Sequence, residues 1–228
     1  MWTRESIKII GNNNRHIKNR IFKHEDKTDL LTIIVAGFGY TMDAPYIYYS
    51  KYIPYQLNSD VLLIDLDYSQ INEFIELPDD KQDEWFEKDL IGIKKGINNL
   101  SNYSRLWQIG KSLGTSVIFN LLKEEEIIKK TEKVVWLTPG TQAKEIYSII
   151  SDTPIYSFVV YGSKDPYTKS DQIERLRSAD NITIFTVQEG DHTLETDDIV
   201  ESLEYLKTYV KELKGFLSND ALKYIRVL

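Results

Sequence analysis

The stretch Trp107-Gln108-Ile109-Gly110-Lys111-Ser112-Leu113-Gly114-Thr115-Ser116-Val117-Ile118-Phe119 decides how the chain reads. Leu106 to Ile109 has strand character, while Leu113, Val117, Ile118, Leu121 and Leu122 recur at helical spacing. Between the two stands Gly-x-Ser-x-Gly. A serine on so tight a strand-to-helix turn has a strained backbone, and its neighbours must be small. Gly110 and Gly114 supply that room. Ser112 then lies at a helix N-terminus, where the dipole and unpaired N–H groups favour negative charge. With 11 Gly in 228 residues, chance supplies this spacing roughly 0.04 times per chain of this kind. Gly110-Lys111-Ser112 also matches the tail of a phosphate-binding loop. That motif needs glycine at 105, and the residue there is Arg105.

On either side of this turn, short apolar runs alternate with amphipathic segments. The runs are Leu30 to Ala36, Val61 to Asp65, Leu106 to Ile109, Val134 to Leu137, Ile155 to Val160 and Ile182 to Val187. Near-continuous apolar runs suit strands covered on both faces. After Pro78-Asp79, a helix is predicted with Phe86, Leu90, Ile93, Ile97 and Leu100 on one face. A last helix should bury Ile199, Leu203, Leu206, Val210 and Leu213 and stop at Gly215. Ile7 to Ile10, Asn12 to Asn14 and Ile17 to Phe22 predict an antiparallel N-terminal hairpin at the sheet edge. The expected fold class is α/β: a mostly parallel central sheet with helices on both faces, as one domain over 1–228.

Composition excludes several classes. Net charge is -7 and the hydrophobic share 42%, which suits a globular chain and disfavours a nucleic-acid partner. Cys is 0, so there is no disulfide framework, thiol nucleophile or thiolate metal site. The N-terminus lacks the apolar stretch of a signal peptide, and no segment is long and apolar enough for a membrane span. A cytoplasmic location is expected.

A serine hydroxyl needs a base, and the base needs an orienting carboxylate. The histidines are His16, His24 and His192. The first two lie among Arg15, Lys18, Arg20 and Lys23 and are expected to be solvated. His192 lies in Gly190-Asp191-His192, past the last strand and before the last helix. Asp165, in Gly162-Ser163-Lys164-Asp165-Pro166, would leave a strand end on a turn at the same sheet edge. Asp191 is the rival carboxylate, although adjacent loop residues rarely point at each other. Asp65 and Asp67 are read as strand-end carboxylates and not as a metal pair.

In this order Ser112, Asp165 and His192 resemble the α/β-hydrolase superfamily from about residue 30 to 213, through the elbow, the Gly162-x-x-Asp165 turn and the Gly-Asp-His loop. Compact serine hydrolases without a large cap, of the carboxylesterase and dienelactone-hydrolase kind, look most similar. The resemblance implies a Ser112–Asp165–His192 triad acting through an acyl-enzyme on a small-molecule acyl substrate, with no metal or organic cofactor. It also implies an oxyanion hole made of the Leu113 amide and an amide after the strand 30–36. There the sequence reads Ala36-Gly37-Phe38-Gly39 and lacks the histidine common in relatives, so Phe38 is the carry-over, with Gly39 the other candidate. An acyltransferase using the same triad and a catalytically idle hydrolase-like binding module are the alternatives.

Tyr40 adjoins that amide and is assigned to substrate binding. Tyr46, Tyr48, Tyr49, Tyr52 and Tyr55 are read as core packing with hydroxyls reaching the surface. The connection from Thr138 to Pro154 has the length of one short helix, too short for a large lid. Lys111, inside the elbow, is read either as easing the approach of an anionic substrate or as solvated.

Overall fold

The computed structural model describes residues 2–140 and 143–218. Its centre is an eight-stranded sheet in the order β1-β2-β4-β3-β5-β6-β7-β8. In chain order the strands are β1 (Trp2–Glu5), β2 (Asn19–His24), β3 (Leu30–Val35), β4 (Asp60–Ile64), β5 (Arg105–Lys111), β6 (Thr131–Leu137), β7 (Tyr156–Gly162) and β8 (Ile182–Val187). From β4 to β8 all neighbours are parallel, whereas β2 pairs antiparallel with β1 and with β4. Every residue of β3 and β4 is buried. Their continuous apolar runs are therefore explained by cover on both faces.

The helices are α1 (Pro45–Gln56), α2 (Asn72–Ile75), α3 (Asp79–Asn98), α4 (Leu113–Leu121), α5 (Glu125–Lys130), α6 (Ala143–Asp152), α7 (Ser170–Leu176) and α8 (Ile199–Ser218). Two apolar layers result. One joins Ile33, Leu62 and Trp136 to Leu90, Ile93 and Ile97 of α3 and Val117 of α4. The other joins Ile34, Leu63 and Phe158 to Tyr46 of α1 and Tyr209 and Phe216 of α8. Burial of this kind contributes roughly 25 cal/mol per Å² of apolar surface.

Two predicted details differ. The edge hairpin forms with Trp2–Glu5 as its strand arm, while the expected arm Ile7 to Ile10 is reduced to an antiparallel bridge between Ile10 and His16 and a bond from the Ile17 amide to the Ile9 carbonyl at 2.9 Å. The Asn19 side chain takes the Ile7 amide at 2.8 Å and donates to the Ile7 and Ile17 carbonyls at 2.9 Å, replacing the ladder there. Ile9 and Ile17 are buried in the core. The loop is pinned over α3 by the buried Asp89, which accepts from the Asn12 amide at 2.6 Å and the Tyr68 hydroxyl at 2.9 Å. It also pairs with Arg15.

The buried stripe of α8 is rotated by about one residue from the expected one. It runs Ser202, Leu206, Tyr209, Leu213, Phe216, while Ile199 and Leu203 are exposed. Tyr209 draws the helix this way: its ring packs on Tyr46, and its hydroxyl meets Ser50 Oγ at 2.6 Å. Ser202 is tolerated inside because its hydroxyl accepts from the Thr196 amide at 2.8 Å. The helix also runs through Gly215, since Phe216 and Leu217 both enter the core. Among the described residues, no helix is long and apolar enough to cross a membrane.

Candidate active site

Because β3, β5, β7 and β8 are parallel, the loops that follow them leave the same edge of the sheet. Such an edge is where open α/β sheets place their sites. The turn after β5 is the elbow. Ser112 has φ 50 and ψ -115, a conformation that costs a non-glycine residue free energy and persists only where its surroundings hold it. Its amide donates to the Leu137 carbonyl at 2.9 Å, and its carbonyl accepts from the Thr115 amide and hydroxyl at 2.9 and 2.6 Å. The flanking glycines are steric necessities. A Cβ on Gly114 would lie 2.1 Å from the Val35 carbonyl oxygen, and one on Gly110 2.7 Å from that of Gly114.

The turn after β7 and the loop after β8 are pressed together. The Ser163 and Lys164 amides donate to the Val187 and Gly190 carbonyls at 2.9 and 2.8 Å. A Cβ on Gly162 would come within 2.3 Å of the Gly190 and Asp191 carbonyl oxygens. This contact brings three distant side chains into line. His192 Nε2 is 2.8 Å from Ser112 Oγ, and His192 Nδ1 is 2.9 Å from Asp165 Oδ2. The Asp165 side chain is fully buried, and its Oδ1 accepts from the Tyr167 amide at 3.0 Å. Tyr167 also sets its ring edge-on to the imidazole, with centroids 5.0 Å apart.

Asp191 faces elsewhere. Its Oδ1 accepts from the Thr193 amide at 2.7 Å, the Thr193 hydroxyl at 2.6 Å and the Glu195 amide at 3.2 Å, closing the loop on itself. His16 is exposed and, like His24, separated from β5 by β4 and β3. His24 is not solvated as expected: it is half-buried and stacks on the Tyr55 ring at 4.0 Å.

Leu113 opens α4, and among the described residues neither its amide nor that of Phe38 donates a hydrogen bond. The Gly39 amide does, to Asp67 Oδ1 at 3.1 Å. Asp67 Oδ1 also takes the Ser69 amide at 3.2 Å and the Ser69 hydroxyl. Asp65 pairs with Lys18 at 2.8 Å. Among the described residues, no group of three or more metal-binding side chains converges.

Tyr40 is half-buried, and its hydroxyl accepts from the Tyr46 amide at 3.3 Å. Burial pushes that phenol above its ordinary range. Of the tyrosines at 46, 48, 49, 52 and 55, Tyr46 alone is wholly in the core. Tyr48, Tyr49 and Tyr52 are exposed, contrary to expectation, because they occupy the outer side of α1.

Lys111 is neither solvated nor open to a substrate. It is 1% exposed. Its Nζ donates to Thr138 Oγ1 at 2.5 Å and to the His192 carbonyl at 2.6 Å, and lies 4.7 Å from the Tyr40 ring centroid. No sequence signal marks this, since a lysine beside Ser112 on a turn has no periodicity to betray burial.

Desolvation lowers Lys111 from 10.5 to about 7, against the opposing pull of Asp165 and Asp191. Above pH 7 the unfolded chain therefore holds a proton that the folded chain has released, and stability rises with pH. Below pH 7 both states hold it, and the folded state bears the full cost of a buried charge. Between pH 7 and 9 this group should add about 2 kcal/mol. From pH 7 to pH 9 the urea midpoint should rise further for the wild type than for Lys111→Met. Equal changes in the two proteins would contradict it.

Solved structures similar to this chain include a dienelactone hydrolase from Anabaena variabilis, with TM-score 0.66, 13% identity and coverage of 95% of this chain and 97% of that one. An esterase from Pyrococcus furiosus gives 0.64 at 14% identity, covering 95% and 92%. Est1E from Butyrivibrio proteoclasticus gives 0.63 at 11% identity, covering 93% and 98%. No family model matches the chain, and no curated protein matches it. The likeness is one of fold, and that fold is the α/β-hydrolase fold.

Proposed function

We propose that the protein is a serine hydrolase of the carboxylesterase type, cleaving an ester or related acyl bond of a small molecule through an acyl-enzyme. The observation that carries this reading is the pair of hydrogen bonds linking Ser112 to His192 and His192 to Asp165. Ser112 Oγ attacks the acyl carbon while His192 Nε2 takes its proton. The oxyanion forms against the Leu113 and Phe38 amides. Phe38 is preferred to Gly39 because the Gly39 amide is committed to Asp67. Each such donor contributes on the order of 3 kcal/mol to the transition state.

The tetrahedral species collapses by breaking the bond to the leaving oxygen, which takes the proton from Nε2 and departs as an alcohol. Water then attacks the acyl group and gives its proton to His192. Breakdown of the second tetrahedral species returns that proton to Ser112 Oγ and releases the acid. Asp165 holds the Nδ1 proton and offsets the imidazolium charge in both halves. Ser112 is only half-buried, so water can reach the acyl-enzyme.

Rapid mixing with p-nitrophenyl acetate tests this. The expected record is a burst of p-nitrophenol approaching one equivalent of enzyme, followed by slower turnover, as acyl-enzyme accumulates. Release no faster than in buffer alone would refute it.

A further inference from the structure

We propose that Lys111 is a positioning residue of this site, bracing the His192 loop and the end of β6 against the elbow so that the imidazole stays within reach of Ser112. The inference rests on the hydrolase reading of the same residues. Its geometric basis is that one buried side chain, rooted next to the nucleophile, ends on two other loops. Nζ donates to Thr138 Oγ1 at 2.5 Å, just past β6, and to the His192 carbonyl at 2.6 Å, just past β8. Among the described residues, that bond is the only one made to the main chain of His192. Among the described residues, the imidazole nitrogens bond to Ser112 and Asp165, and the ring meets the Tyr167 ring at its edge. Without the brace, the segment carrying the base is left to its neighbours.

The backbone around these contacts is built to meet the lysine. Thr138 is fully buried with φ 43, a value that makes a β-branched residue a genuine outlier. Its amide is held by the Val160 carbonyl at 2.8 Å, and its hydroxyl meets Nζ. Glu189 and Leu194, on either side of His192, are also left-handed, at φ 57 and 72. Such conformations persist where surrounding contacts over-determine them. Leu194 is anchored through its carbonyl by the Tyr46 hydroxyl at 3.2 Å, and Lys111 supplies the corresponding anchor at His192. Lysine suits the task because its compact head carries three donors on a flexible stem. Two acceptors and the Tyr40 ring surround it, and Asp165 and Asp191 offset its charge.

Lys111→Met keeps an unbranched stem of similar length and removes the donors; Thr138→Ala removes one tether and leaves the lysine. With p-nitrophenyl acetate, Lys111→Met should lower kcat about 10- to 100-fold with KM within about threefold, and Thr138→Ala should lower kcat by a smaller factor. A second readout needs no turnover. The Nδ1 proton that His192 shares with Asp165 should give a sharp, strongly downfield line in the wild-type proton spectrum. It should broaden or vanish in both variants at the same pH. Lines as sharp in the variants as in the wild type, or a kcat within twofold of wild type, would overturn the positioning role. If Lys111→Met does not fold, Thr138→Ala decides by the same criteria. A wild type showing the downfield line without ester turnover would instead count against the hydrolase reading, and the comparison of lines would still judge the brace.

Discussion

Replacing Ser112 by alanine is expected to lower kcat for short p-nitrophenyl esters by about 10⁴- to 10⁶-fold, with KM nearly unchanged. On the proposed reading, the residual rate would come from the Leu113 and Phe38 amides, which still favour an oxyanion when water attacks. Folding should survive. Among the described residues, the Ser112 hydroxyl bonds only to His192, and the side chain does not cap α4. The cost of φ 50 is similar for alanine and serine. The checks are steady-state kinetics beside a urea melt, which should show an unchanged midpoint. A variant folded like the wild type and retaining a tenth of its rate would remove Ser112 as the nucleophile.

Asp165→Asn should lower kcat by about 10³- to 10⁴-fold, for a reason visible in the hydrogen bonds. One carboxylate oxygen accepts from the Tyr167 amide, and the other faces His192 Nδ1. Asparagine satisfies the amide only by turning its oxygen there, which directs its NH₂ at Nδ1. The imidazole must then accept at Nδ1 and carry its proton on Nε2, where it faces Ser112 and cannot take another. The neutral amide also no longer offsets the imidazolium. Asp191→Asn retains a carbonyl oxygen for the Thr193 and Glu195 donors, so its kcat should stay within about threefold of wild type. An Asp165→Asn rate within tenfold of wild type, or an equal loss in both variants, would count against the assignment.

Much of this was legible in the sequence because sterics and periodicity leave local marks. Gly110 and Gly114 read as demands of a tight turn, and the 2.1 Å that a Cβ on Gly114 would leave to the Val35 carbonyl oxygen shows why. The buried runs at 30–35 and 60–64 read as strands because both faces are covered. Loop order along a parallel sheet then places residues 112, 165 and 192 on one edge.

What escaped was set by contacts between distant segments. A side-chain amide at Asn19 takes the place of the expected ladder at Ile7, leaving a short bridge at Ile9 and Ile10. An aromatic pair between Tyr46 and Tyr209 turned α8, so that Leu203 faces water although its spacing suits the core. Tyr48, Tyr49 and Tyr52 have core-like composition but project from the outer side of α1. Lys111 is the plainest case. Charge argues for solvent, and only a carbonyl 81 positions away and a threonine 27 away explain its burial.

The most direct measurement is exposure of the folded protein to a fluorophosphonate, with mass spectrometry to locate the adduct. One covalent phosphonyl group is expected, on Ser112, because a base-activated serine is the nucleophile such a reagent captures. A protein that stays unlabelled while folded, or that carries the group on a different serine, would contradict it.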